Sequence, residues 1–168
     1  MTDNNQSTFE LERFLKAQES RYEGFDTALE EIKGGSKQSH WIWYIFPQMK
    51  GLGHSGFSNY YGISSLLEAK AYLENNVLEY RLRTMVKAMA EYAGIKTAEE
   101  ILGGLDAMKF RSCLTLFDIV SPEDIFADAL DTFFGGKICD RTMALVSEEL
   151  ANYKGVLCHQ KPKIAIEN

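Results

Sequence analysis

Asn75-Asn76-Val77-Leu78-Glu79-Tyr80-Arg81-Leu82-Arg83-Thr84-Met85-Val86-Lys87-Ala88-Met89-Ala90-Glu91-Tyr92-Ala93-Gly94 is the stretch that decides the fold class. Leu78, Leu82, Met85 and Met89 recur every three or four residues and share one helical face. An asparagine at 75 or 76 can accept the unpaired amides of a first turn, and Gly94 can end the run. The spacing predicts an amphipathic helix over residues 77–93. The same pattern continues on both sides. Upstream, Phe9, Leu11, Phe14 and Leu15 are spaced as on a helix, and Tyr22, Phe25, Leu29 and Ile32 extend the pattern to Gly34-Gly35. Ser64 or Ser65 can cap a helix carrying Leu66, Leu67, Ala69 and Leu73.

Downstream, Thr97-Ala98-Glu99-Glu100 is a capping box, in which threonine and glutamate satisfy each other's amides. Asp106 starts a helix running through Leu114 to Ile119. Ser121-Pro122-Glu123-Asp124 reads as a cap, a first-turn proline and first-turn acids, ahead of Phe126, Leu130, Phe133 and Phe134. Gly135-Gly136 closes that helix. Asp140 then caps a last one with Met143, Leu145, Val146 and Leu150. There is no alternating strand pair and no internal repeat. The chain reads as all-α: a single multihelical domain of about seven helices, without a substantial sheet. The domain is expected over residues 9–154, between a disordered N-terminus (residues 1–8) and a C-terminal tail (residues 155–168).

Composition narrows the function. With 168 residues the chain suits one domain with a real core, and 45% hydrophobic with 25% charged residues is ordinary for a globular protein. A net charge of −6 makes nucleic acid an unlikely partner. No run nears the roughly 20 apolar residues of a membrane span, and the polar start lacks the layout of a signal peptide. Three cysteines without paired spacing read as reduced thiols, so the expected setting is cytoplasmic. No His-x-x-x-His, Cys-x-x-Cys or carboxylate cluster announces a metal, and no cofactor is expected.

Candidate chemistry gathers at Ser39-His40-Trp41-Ile42-Trp43-Tyr44-Ile45-Phe46-Pro47-Gln48, which runs on into Met49-Lys50-Gly51-Leu52-Gly53-His54-Ser55-Gly56. Both tryptophans and two of the three histidines fall here. His40 can serve as acid, base or donor, and Trp43 and Tyr44 share its face if the segment is helical. The alternative is that the block is core, with one tryptophan packing and at most the other lining a pocket. Gly51-Leu-Gly-His-Ser-Gly56 has the letters of a dinucleotide fingerprint, but no apolar strand precedes it and Phe57-Ser58-Asn59-Tyr60-Tyr61-Gly62 does not read as a helix opening. A looser role remains: Gln48, Lys50, Ser55 and the amides of Gly51 and Gly53 could hold an anion. Lys109, Arg111 and Ser112, early in an apolar helix, suit a phosphate or carboxylate, or else a surface salt bridge. Gly136, Asp140 and Thr142 form a third candidate, in which Asp140 is a cap or a catalytic carboxylate.

On these residues the chain resembles a family. Arg13-Phe14 with Ala17-Gln18, His40-Trp41-Ile42-Trp43-Tyr44-Ile45-Phe46-Pro47-Gln48, and Gly51-Leu52-Gly53 with Ser55 are similar to domain-of-unknown-function family 1810. So are Glu68-Ala69, Tyr72-Leu73, Lys109, Arg111-Ser112, Thr115-Leu116-Phe117, Phe134, Gly136, Asp140 and Thr142. The resemblance covers about residues 9–150 and implies the multihelical fold of these small bacterial proteins; it brings no established biochemical role. The Phe-Gly-Gly…Asp…Thr element is also faintly similar to the helical ADP-ribose-linked N-glycosidase family.

Two functions follow as expectations. In the first, the protein binds a phosphorylated, nucleotide-like small molecule. The aromatic block stacks the ring and Lys109 and Arg111 hold the anion. N-glycosidic hydrolysis is the reaction to test first, with His40 as proton donor and Asp140 as carboxylate. In the second, the protein is a non-enzymatic interaction or assembly module that uses the His-Trp-Ile-Trp-Tyr segment as its anchor. A concave pocket joining His40, Trp43, Lys109 and Arg111 favours the first, and a flat exposed aromatic patch favours the second.

Overall fold

A computed structural model describes residues 9–159, with side chains through residue 152. The expected N-terminal segment, residues 1–8, lies outside the described residues. Ten helices occur among those described: α1 (Glu12–Gln18), α2 (Phe25–Lys33), α3 (Ile42–Ile45), α4 (Gly56–Tyr61), α5 (Leu66–Glu74), α6 (Asn76–Ala90), α7 (Ala98–Leu102), α8 (Gly104–Val120), α9 (Ile125–Phe134) and α10 (Asp140–His159). The fold is all-α, and the nearest approach to a sheet among these residues is one isolated parallel bridge between Met49 and Ile63.

The count exceeds seven because α3 and α4 are too short to show a period in sequence. α4 also corrects the reading of residues 57–62 as non-helical: Ser55 caps it by accepting the amide of Ser58 at 3.1 Å. Three other caps form where the sequence places them. Ser65 opens α5, Asn75 accepts from Val77 and Leu78 to open α6, and Thr97 with Glu100 makes the capping box of α7. The start of α9 is displaced, because Glu123 takes a left-handed backbone (φ 58°). That bend moves the cap from Ser121 to Asp124, which accepts from Ile125 and receives the Ser121 hydroxyl at 2.7 Å. α8 begins at Gly104, so Asp106 sits in its first turn rather than at its cap. α10 continues to His159, into the first residues of the expected tail, and residues 160–168 of that tail lie outside the described residues.

α8 is the central element. Phe110, Ser112, Cys113, Leu114, Thr115, Leu116 and Phe117 are consecutive or nearly so and all buried, which requires neighbours on every side. α3, α5, α7, α9 and α10 supply them. An aromatic chain runs through the packing: Phe14 meets Tyr72 edge-on at 5.2 Å, Tyr72 meets Phe117 at 5.3 Å, and Phe117 meets Phe126 at 5.7 Å. Buried polar groups in it are satisfied. Gln18 donates to the Tyr44 carbonyl at 2.8 Å and bonds the Tyr72 hydroxyl at 3.1 Å, while Arg81 reaches its oxygen at 3.3 Å. Arg13 ties α1 to α5 through Glu68 and to the end of α4 through the carbonyls of Tyr60 and Gly62.

Arg83 grips Asp124 with both guanidinium nitrogens, at 2.7 and 2.8 Å, and so joins α6 to the start of α9. Hydrogen bonding from Arg83 outweighs burial and holds the Asp124 carboxyl well below the usual carboxylate range. A depressed folded pKa stabilises the fold above the unfolded value near 3.9, and that stability is lost as pH falls through the folded value. Asp124→Ala should cost about 1–3 kcal/mol at pH 7, from a lost cap and a lost two-pronged ion pair. Asp124→Asn, which keeps a cap, should cost less. Urea unfolding at pH 7 and pH 2.5 checks this, since the gap between wild type and Asp124→Ala should narrow at the lower pH.

Candidate functional site

The aromatic block divides between core and site. Trp41 is fully buried, and its indole N–H donates to Glu31, which also receives the Ser39 hydroxyl at 2.6 Å. Phe46 packs on Phe110 of α8 with ring centroids 4.6 Å apart. This pins α3 against α8 and leaves Trp43 on the opposite side, where its ring lies 5.4 Å from the Lys109 ammonium. The bridge between Met49 and Ile63, with the Lys50 amide bonded to Ile63 at 2.8 Å and the Ile63 amide to Gln48 at 2.9 Å, closes the intervening residues into a loop. That loop ends in α4.

Between this loop, α8 and the start of α10 lies a cleft of about 480 Å³, within the range of small-molecule sites. Trp43, Gln48, Gly53, His54 and Ser55 line one side, and Lys109, Arg111, Ser112, Cys139, Asp140 and Arg141 line the other. The loop approaches closely here: a Cβ on Gly53 would stand 2.4 Å from the Ser58 hydroxyl oxygen.

The cations of the cleft differ in how far the fold has already used them. Lys109 donates to Asp106 at 3.1 Å, and the same carboxylate takes Lys37 at 2.9 Å. Arg141 donates to the Leu52 carbonyl at 3.0 Å, across the mouth of the loop. Arg111 has no ion pair or guanidinium hydrogen bond among the described residues. Its Nε is fully buried without a partner, and its guanidinium carbon lies 5.9 Å from the Phe134 ring. A buried donor left unmade costs about 1–3 kcal/mol, and nothing among the described residues offsets that cost at Arg111. With Asp140 as the one carboxylate on its wall, the cleft is locally basic in a chain of net charge −6.

Eight of the residues singled out in sequence meet here: Trp43, Gln48, Gly53, Ser55, Lys109, Arg111, Ser112 and Asp140. Others stand apart. His40 lies outside the lining, with its side chain 80% exposed and its ring 3.3 Å from Glu23. The Tyr44 hydroxyl is committed to the Glu23 carbonyl at 2.7 Å, and burial, aided by the Glu23 and Tyr61 charges, pushes it up to about 12. Lys50 borders a separate hollow with Arg13 and Glu68. Gly51, at φ 102°, faces Leu145, and Gly136 serves the turn after α9 at φ 77°. Asp140 is the first residue of α10 rather than its cap, and Thr142 lies behind the wall, fully buried.

Seven lining residues escape the sequence reading of a site, His54, Arg141 and Cys139 among them. Cys139 had a usable signal, since it immediately precedes the helix that Asp140 opens. Burial pushes the Cys139 thiol up, yet hydrogen bonding from Ser112 and the first turn of α10 outweighs it and holds the thiol below its ordinary value.

The chain belongs to the family described as Protein of unknown function (DUF1810), which it matches over residues 8–146. No curated protein matches it. Among solved structures it is similar to the conserved hypothetical protein Rv1873 from Mycobacterium tuberculosis, determined at 1.38 Å. The two are 38% identical with a TM-score of 0.78, over 83% of this chain and 97% of the other. No helix among the described residues is long and apolar enough to cross a membrane.

The loop geometry generates a paired test. Gly53→Ala must displace Ser58 and should destabilise by about 1–3 kcal/mol. Gly56→Ala, where a Cβ meets nothing within 4 Å at the first turn of α4, should be neutral or stabilise by up to about 1 kcal/mol. Differential scanning calorimetry of both variants reads the contrast.

Proposed function

We propose that the cleft binds a phosphorylated, nucleotide-like small molecule, with its anionic group at Arg111 and Lys109 and its planar part against Trp43. The observation that carries this reading is the Arg111 guanidinium, placed on the wall of a small-molecule-sized cleft with no acid of its own. The aromatic wall supports the planar part. Trp43 packs at 5.3 Å against Phe57, which in turn stacks on Tyr61 at 6.2 Å. Hydrolysis of an N-glycosidic bond in such a ligand is the reaction to assay first. Asp140 would face the positive charge that develops on the sugar, and proton donation passes from His40 to His54, which shares the cleft. A cytoplasmic setting is part of the reading, supported by the free thiols of Cys113 and Cys139.

The interaction-module reading has one observation of its own. Phe57, Tyr60, Leu105 and Met108 are exposed apolar side chains, and all but Tyr60 are on or adjoin the cleft. A partner seated on that rim would cover the cleft rather than enter it.

Isothermal titration against nucleotides, nucleotide sugars and ADP-ribose tests the proposal. Arg111→Gln should weaken a binding ligand by about 10- to 100-fold, the worth of one charge-assisted contact, at unchanged melting temperature. The ligand should also quench Trp43, a signal absent in Trp43→Phe because Trp41 is sealed in the core. Absence of heat and quenching across the panel would sink the small-molecule reading in favour of the rim.

A further inference from the structure

A hydroxyl, a helix start and three cationic side chains gather around one sulfur atom. Cys139 is only 6% exposed and lies on the cleft wall, immediately before the 20-residue helix α10. The backbone N–H groups of Arg141 and Thr142 belong to the first turn of α10, a position that favours a sulfur anion at Cys139. The Ser112 hydroxyl stands 3.3 Å from the sulfur and 3.0 Å from the Met108 carbonyl. Its single proton can serve the carbonyl while the cysteine is a thiol and the sulfur once it is a thiolate. Thr142, completely buried behind the cleft wall, has a hydroxyl with no hydrogen-bond partner among the described residues. A thiol is a poor acceptor and gains little from the Ser112 hydroxyl and the helix start, whereas a thiolate gains from both.

Cys113, two turns into the same packing, provides the contrast. It is fully buried, and burial alone pushes its thiol well up. The charged and titratable groups that share the cleft with Cys139 come from every element around it. These are Lys109 and Arg111 from α8, His54 from the loop before α4, and Asp140 and Arg141 from α10 itself. Three are cationic side chains and favour the anion. The unpartnered Nε of Arg111 is a separate sign that a ligand belongs in the same space.

We propose that Cys139 is the nucleophile of the cleft, forming a covalent bond to an electrophilic carbon of an anionic small molecule whose charge Arg111 holds. The proposal rests on the anion-binding reading above and adds a reaction to it. The sulfur lone pair attacks the carbon and the S–C bond forms as the bond to the leaving group breaks. The leaving group departs with that electron pair, and His54 can supply a proton where one is needed. Nothing is oxidised or reduced.

Iodoacetate and iodoacetamide are the probes: the same reaction at the same carbon, with and without a negative charge, iodide leaving in both. The full chain carrying Cys158→Ser is labelled and the modified cysteines are mapped by mass spectrometry. At pH 6.5, Cys139 should react about tenfold or more faster than free cysteine, which is mostly protonated there, while Cys113 stays unlabelled. Labelling by iodoacetate should saturate with concentration and exceed that by iodoacetamide. Arg111→Gln, with an unchanged melting curve, should abolish saturation and the preference for the anion. Ser112→Ala should move the pH midpoint of labelling upward, an effect that a merely structural serine would not produce. If Cys139 reacts no faster than free cysteine, or only on unfolding together with Cys113, the nucleophile is refuted while Arg111-dependent binding is untouched. If Cys139 reacts fast but without saturation, charge preference or any effect of Arg111→Gln, the anionic substrate is refuted and the binding reading falls with it.

Discussion

The contact between Phe46 and Phe110 is the constraint on which the site depends. α8 is buried on every side, so its rotation about its own axis is set by the neighbours that cover it. With Phe110 directed at the 41–46 segment, Lys109 and Arg111 fall to either side of that contact, and Ser112 follows along the wall toward Cys139. On the other partner, seating Phe46 and Trp41 in the core turns Trp43 outward to meet Lys109. One aromatic contact thereby sets both walls of the cleft, and a shift of α8 by a fraction of a turn would separate them.

Around that contact, the fold commits several of its charges to itself. Asp106 gathers Lys37 and Lys109, Glu68 takes Arg13, and Asp124 takes Arg83. Glu31 binds the Trp41 indole and the Ser39 hydroxyl. These pairs join elements far apart in sequence, and their removal would leave buried charge without a partner. Arg111 and Cys139 differ in kind. One is a donor with nothing to donate to, and the other is a weak acceptor surrounded by donors. Both sit on the cleft. A stable fold has no use for an unpaired buried donor, and in the proposed function that sets Arg111 apart from the better-paired charges around it.

Much of the fold was legible because helix caps are local chemistry. Thr97 with Glu100, Asn75 and Ser65 could be read from a few residues each, and Leu78, Leu82, Met85 and Met89 fixed the buried face of α6. What escaped depends on longer-range structure. α3 and α4 span barely one turn each and rest on the loop closure between residues 49 and 63. The displaced cap of α9 follows from the backbone of Glu123, which Arg83, forty residues away, helps to hold by gripping Asp124. The site divides in the same way. Lys109, Arg111 and Ser112 were legible as cations and a hydroxyl at the start of an apolar helix. His40 and His54 could not be ranked by sequence, since the choice between them rests on which way the segment leaves the core. Cys139 showed in sequence only as the residue before a helix start, and its contact with Ser112, 27 residues earlier, belongs to the fold.

Burial and charge pull the chemistry of Cys139 in opposite directions, and their balance bears on what the cleft is for. A cysteine 6% exposed in apolar surroundings ought to be inert, as Cys113 is. The field at the start of α10 and the Ser112 hydroxyl, 3.3 Å away, act against that tendency without exposing the sulfur to bulk water. A thiolate stabilised by strong hydrogen bonds is also a weaker intrinsic nucleophile than a free one. Such a group is therefore suited less to indiscriminate reaction than to a partner that is positioned for it. Arg111 supplies the means of positioning, on the same wall and with a nitrogen still unpaired. In the proposed chemistry, the selectivity of the cleft would lie in the distance between an anion and a reactive carbon within one ligand, a property set by the rigid α8 rather than by the mobile end of a side chain.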